Sequence, residues 1–173
     1  TYINILNLAQ HMSYYVIIRE PLACGKSTIA KMLAEAVKAK VFHIDNVLEK
    51  HGLLNDVEKG YVSQRSFLKA NELIIPKAIK QLEKGINVII EGNFYWKSQV
   101  EDLVKKLKYK HYVFTLKAPI RVCIERDIAR GETHGADAAK AVYAKVVEFD
   151  YGIVVNANKE INKVVADILE NIR

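Results

Sequence analysis

Cysteine is scarce: the 173 residues hold two, Cys24 and Cys123. Two cysteines are too few for a disulfide framework, so the fold must rest on its core, and the count fits a reducing cytoplasm. No Cys/His cluster with metal-ligand spacing occurs, which argues against a zinc centre, and His134 alone is not a metal site. No apolar run approaches the roughly 20 residues of a membrane span. Residues 1–11 lack the basic start and small-residue cleavage site of a signal peptide; His11-Met12 reads as a cloning junction, with Met12 as the native start and residues 1–11 as an added leader. Internal repeats, low-complexity segments and an interdomain linker are missing too, so residues 12–173 read as one domain.

What is present is an ordinary globular composition, half hydrophobic and 27% charged. Lysine and arginine number 26 against 20 aspartates and glutamates, a net charge of +6. That excess suits an anionic ligand. A nucleic acid is allowed but not favoured, because Lys105, Lys106, Lys108 and Lys110 read as a helix end and its flank rather than a binding stripe.

Apolar strands alternate with helical patterns along the chain. Strands are expected at 14–18, 41–44, 87–90, 112–116 and 153–155. Helices are expected at 26–38, 46–50, 63–84 (capped by Ser63, kinked or split at Pro76), 97–107, after Pro119 to about 130, 138–149 and 161–172. Alternation of this kind predicts right-handed βαβ crossovers: an α/β fold, a five-stranded parallel sheet with helices on both faces. Ligands of such sheets bind beyond the carboxyl ends of the strands. Glu20 to Ser27, Asp45, Glu91, Lys117 and Asn156 to Asn158 stand there.

The first of those ends carries the sharpest motif. Gly25-Lys26-Ser27, between an apolar strand and a helix, is the second half of the Walker A pattern G-x-x-x-x-G-K-[ST]. Backbone N–H groups of such a turn cradle phosphate, the helix N-terminus adds positive potential, the lysine reaches the β- and γ-phosphates and the serine ligates Mg²⁺. Ala23, Cys24, Gly25, Lys26, Ser27 and Thr28 are therefore candidate ATP contacts. Cys24 is either a reactive thiol or simply a small residue where bulk would block phosphate. Glu20 stands where the motif has its first glycine. It brings a carboxylate to an anion site and a side chain to a position expected to need glycine's backbone freedom.

With these residues placed, the chain resembles the P-loop kinase family, adenylate kinase and its small relatives, including chloramphenicol phosphotransferase-like and polynucleotide kinase-like proteins. The likeness rests on Cys24-Gly25-Lys26-Ser27-Thr28, Ile44-Asp45, Val88-Ile89-Ile90-Glu91-Gly92, and Leu116-Lys117-Ala118-Pro119 followed by Arg126 and Arg130. It implies the three-layer P-loop NTPase fold and an ATP- and Mg²⁺-dependent phosphotransferase acting on a small-molecule or nucleotide acceptor. By this resemblance Lys26, Asp45 and Arg130 carry catalysis, with Asp45 orienting or deprotonating the acceptor hydroxyl. Ser27 and Glu91 serve the metal, Arg126 lies against adenine, Arg130 reaches the phosphates, Asn156 sits on the nucleotide side, and residues 130–136 form a short lid. Each has a plainer alternative: Asp45 as a helix cap, Glu91 as a strand-end acid paired with a neighbouring lysine, and the arginines on a solvated helix with Glu125, Asp127 and Arg121 nearby to pair with them. Phe94, Tyr95 and Trp96 line an acceptor pocket or pack in the core. Two other functions stay open: a nucleotide-binding regulatory protein without transfer, prompted by Glu20, and a 5′-hydroxyl polynucleotide kinase.

Overall fold

The computed structural model describes residues 13–21, 25–131 and 135–172. Ala23, Cys24 and the centre of the expected lid, residues 132–134, lie outside the described residues.

The apolar run after Ser13 forms β1 (Tyr14–Arg19), and α1 (Lys26–Val37) follows the Gly25 turn. The chain continues through β2 (Ala39–His43), α2 (Ile44–Lys50) and a two-stranded antiparallel hairpin, β3 (Val57–Glu58) and β4 (Tyr61–Val62). Then come α3 (Gln64–Leu82), β5 (Asn87–Gly92), α4 (Lys97–Lys106), β6 (Lys110–Lys117), α5 (Ile120–Ala129), α6 (Ala136–Val146), β7 (Ile153–Asn156) and α7 (Ile161–Asn171). The main sheet has five strands in the order β2-β5-β1-β6-β7, every pair parallel.

Strand β1 shows why the sheet is covered on both faces. Tyr15 and Ile17 point into one core with α3 and α4, whereas Val16 and Ile18 point into the other with α1 and α7. All four are fully buried. A strand with two buried faces reads as a continuous apolar run, as this one does.

The hairpin at 57–62 adds to the expected elements, and two expectations need correction. Helix α3 passes through Pro76 without splitting. Phe67, Ala70, Ile74, Ile75, Ala78 and Leu82 bury both of its halves, so packing outweighs the one backbone hydrogen bond that proline forfeits. Asp45 is not a helix cap: His43 is the N-cap of α2, and Asp45 lies within the first turn.

Gly92 closes β5 where α2 begins. A Cβ there would stand 2.9 Å from Ile44 Cβ. Its bareness lets Ile44, and Asp45 with it, sit against the strand end. Gly92→Ala is expected to destabilise the protein by about 1–3 kcal/mol through overpacking, read as a lower urea midpoint; an unchanged midpoint would show that α2 yields freely. Among the described residues, no helix is long and apolar enough to cross a membrane.

Candidate active site

The parallel register sets Arg19 of β1 beside Gly92 of β5 and Thr115 of β6, so the segments that leave these strands share one rim. From β1 the chain must turn into α1. Gly25 makes that turn with φ 99°, a left-handed backbone that an L side chain seldom adopts. It caps α1, and its carbonyl accepts the Ile29 N–H at 2.8 Å.

Glu20 has folded into this turn. Its side chain is 1% exposed, and Oε1 accepts the backbone N–H of Lys26 at 2.5 Å. The carboxyl thus holds one of the amides that the motif offers to phosphate. Oε2 is buried without a hydrogen-bond partner. Burial pushes the Glu20 pKa up to about 8 against the pull of Lys26, with Glu91 and Cys123 adding to the rise. The backbone difficulty expected at this position does not arise: among the described residues, those with positive φ other than glycine are Lys38, Lys59 and Phe94.

Lys26 turns its side chain across the rim. It is 11% exposed, and Nζ lies 3.7 Å from Oδ2 of Asp45, whose own side chain is 47% exposed. Burial favours the neutral amine, but Glu20, Asp45, Glu91 and Tyr95 outweigh it and raise the pKa. Lys26 is therefore a fixed positive charge. Ser27 and Thr28 lie exposed in the first turn of α1. Glu91 is 3% exposed; Oε1 meets His43 Nδ1, from the register partner on β2, and Oε2 is buried and unpartnered. Its basic neighbour is thus a histidine, not the lysine expected, because the parallel register sets His43 directly beside it.

Arg126, Arg130 and Asn156 lie on α5, at its C-cap and on β7, and are not among the residues that line the groove beside Asp45. Arg126 Nη2 donates to the Lys159 carbonyl at 3.4 Å, which ties α5 to the turn after β7. Asn156 ends β7, and its Oδ1 accepts the Asn158 N–H at 2.8 Å. Arg130 is exposed at the C-cap of α5.

Three residues, Arg19, His43 and Asn93, have no role in the sequence reading. Arg19 is fully buried at the end of β1, where Nη1 donates to the Phe149 carbonyl and Nη2 to the Val146 carbonyl, both at 2.8 Å. Its guanidinium lies 4.0 Å from the Phe149 ring centre. Burial lowers its pKa to about 10, with Asp150 acting the other way. Arg19 anchors the end of α6 to the sheet; a charge closing an otherwise apolar strand was its signal. His43 was passed over as the end of β2. Asn93 and Tyr95 follow β5 and face the groove beside Asp45, whereas Phe94 is fully buried and Trp96 8% exposed. Phe94 has φ 50°, a strained setting for an aromatic residue.

A family model described as "AAA domain" matches residues 16–149. L-seryl-tRNA(Sec) kinase of Methanococcus maripaludis is 28% identical over 126 residues, 70% of this chain and 48% of that protein. The chain thus spans about half the length of this curated relative. Among solved structures, a sugar kinase from Janibacter superposes with a TM-score of 0.75 at 15% identity, covering 91% of this chain and 93% of that one. A gluconokinase from Sinorhizobium meliloti gives 0.66 at 13% identity, covering 94% and 97%. At such identities the likeness speaks for the fold, and it is the fold of P-loop kinases. With its glycine turn, its lysine at the helix entry and its five parallel strands, the chain belongs to the AAA domain family.

Proposed function

We propose that the chain is an ATP- and Mg²⁺-dependent phosphotransferase that moves the γ-phosphate to a hydroxyl-bearing acceptor. The observation that carries this reading is the 3.7 Å approach of Lys26 Nζ to Asp45 Oδ2. A fixed cation on the phosphate-loop helix stands beside a half-exposed carboxylate that opens on a groove. Lys26 neutralises charge as it shifts toward the leaving phosphate, and Asp45 orients the acceptor hydroxyl and takes its proton. The amides of Gly25 to Thr28 hold phosphate oxygens; the sequence sets Ala23 and Cys24 in the same turn. Arg126 and Asn156 lie on the adenine side and Arg130 closes on the phosphates.

The residues present fit Mg²⁺. It takes hard oxygen ligands, and the Ser27 hydroxyl and the unpartnered Oε2 of Glu91 are of that kind. Bound Mg²⁺ supplies further charge neutralisation at the phosphate oxygens. Asp45→Asn tests the assignment. ADP release with a competent acceptor should fall by ~10²–10⁴-fold, with ATP affinity retained. Unchanged turnover would remove Asp45 from the chemistry.

One observation favours a second reading, a nucleotide-binding or regulatory protein that transfers nothing: Glu20 already occupies the Lys26 amide. Calorimetry with ATP and Mg²⁺ on the native chain and on Glu20→Gly separates the two. Equal tight binding by both removes the objection that Glu20 raises; binding by the variant alone would show that Glu20 closes the loop to nucleotide and would count against transfer by the native chain.

A further inference from the structure

A groove of about 400 Å³ opens beside Asp45, walled by α2, β4, α3, the segment after β5, and α6. That volume suits a small molecule. Leu48, Phe67 and Val142 make it apolar; Asp45, Glu49 and Asn93 supply its polar groups. None of the described residues lining it carries a positive charge. Of the cations close by, Lys26 is held at Asp45, and Lys145 is paired with Glu148 at 2.7 Å while covering the Trp96 ring.

Asn93 supplies a second, independent observation. It is 6% exposed, and its Nδ2 donates to the Tyr95 hydroxyl at 3.3 Å. Its Oδ1 is buried with no hydrogen-bond partner. Buried carbonyl oxygens almost always accept a hydrogen bond, so this one calls for a donor from outside. Two carboxylates and an orphaned acceptor together ask for a ligand that brings protons and positive charge. A phosphate or carboxylate on the ligand would face Glu49, and Asp45, whose neighbouring cation Lys26 is already engaged.

We propose that this groove binds an alcohol carrying a protonated amine and an apolar group, and rejects phosphorylated or carboxylated acceptors. The inference rests on the phosphotransferase reading and names its acceptor class. The ammonium lies between Glu49 and Asn93 Oδ1, the apolar group lies on Leu48 and Phe67, and the hydroxyl meets Asp45. In the transfer, the acceptor oxygen bonds to the γ-phosphorus. The bond from that phosphorus to the β–γ bridging oxygen breaks, ADP leaves with the electron pair, and the hydroxyl proton passes to Asp45.

The test follows ADP release with three amino alcohols (phenylalaninol, leucinol and serine benzyl ester), the N-acetyl derivative of each, gluconate and uridine monophosphate. ATP binding is measured on the same preparations. At least one free amine should exceed its acetylated form and both anions by roughly tenfold or more in kcat/KM. Glu49→Gln should narrow that preference by raising KM for the amine without lowering kcat, and Glu49→Lys should reverse it. Preference for an anion, equal use of amine and amide, or no amine phosphorylated by protein that binds ATP would each overturn the proposal while leaving nucleotide binding intact. Failure to bind ATP at all would instead overturn the phosphotransferase reading beneath it.

Discussion

Replacing Lys26 by alanine is expected to lower ADP release at least ~10³-fold, the scale on which a preorganised charge acts on a phosphoryl transition state. The side chain is 11% exposed and is held beside the Asp45 carboxylate at 3.7 Å, so its ammonium is placed before any nucleotide arrives. No reorganisation is then needed as charge moves to the leaving oxygen. The fold should survive. Lys26 opens α1 and lies outside both apolar clusters, while Ile29, Ala30 and Leu33 still bury the helix against the sheet. Circular dichroism and the thermal midpoint check that point. Lys26→Arg should restore little, because a planar guanidinium cannot replace a compact ammonium in so close a setting. Full turnover in Lys26→Ala would place the chemistry elsewhere.

The second large effect belongs to Glu20. Its pKa rises from the usual 4.5 to about 8 because burial disfavours the anion. Between those values the folded chain holds a proton that the unfolded chain has released. Stability from this group is fully present below pH 4.5 and is lost as pH rises through 8. The whole swing is of order 4–5 kcal/mol for a shift of this size. Glu20→Gln keeps an oxygen for the Lys26 amide and removes the titration. Urea unfolding at acid, neutral and alkaline pH should show the native chain weakening steadily while Glu20→Gln changes little by comparison. Parallel curves would mean that the carboxyl ionises freely. At neutral pH Glu20 is then mainly uncharged. The obstacle that Glu20 sets to phosphate is one of volume and a taken amide more than of charge.

Much of this could be read from the chain. The run Tyr15 to Ile18 announced a strand buried on both faces, and Gly25-Lys26-Ser27 announced the turn and helix after it. The alternation of strands and helices gave the parallel sheet, and the strand ends gave the rim on which Lys26 and Asp45 meet. What escaped was whatever depends on side-chain direction or on tertiary neighbours. The hairpin has two residues in each strand, too few for a period; its one local sign is Lys59-Gly60, both with positive φ. Asp45 differs from a cap by two positions, less than a helix boundary can be placed from sequence. The fate of Glu20 depended on where its carboxyl would point, and motif spacing says nothing about that. The orphaned oxygen of Asn93 is equally invisible in the chain, since burial and lack of a partner are set by tertiary neighbours.

The central claim is that the turn between Glu20 and Lys26 holds a triphosphate. A crystal structure with a non-hydrolysable ATP analogue and Mg²⁺ tests it most directly. In that structure phosphate oxygens should sit on the amides of Lys26 and Ser27, with the Lys26 ammonium against them and the Glu20 carboxyl moved off the Lys26 N–H. Glu20 still bonded to that amide, with the analogue bound elsewhere on the surface, would contradict it.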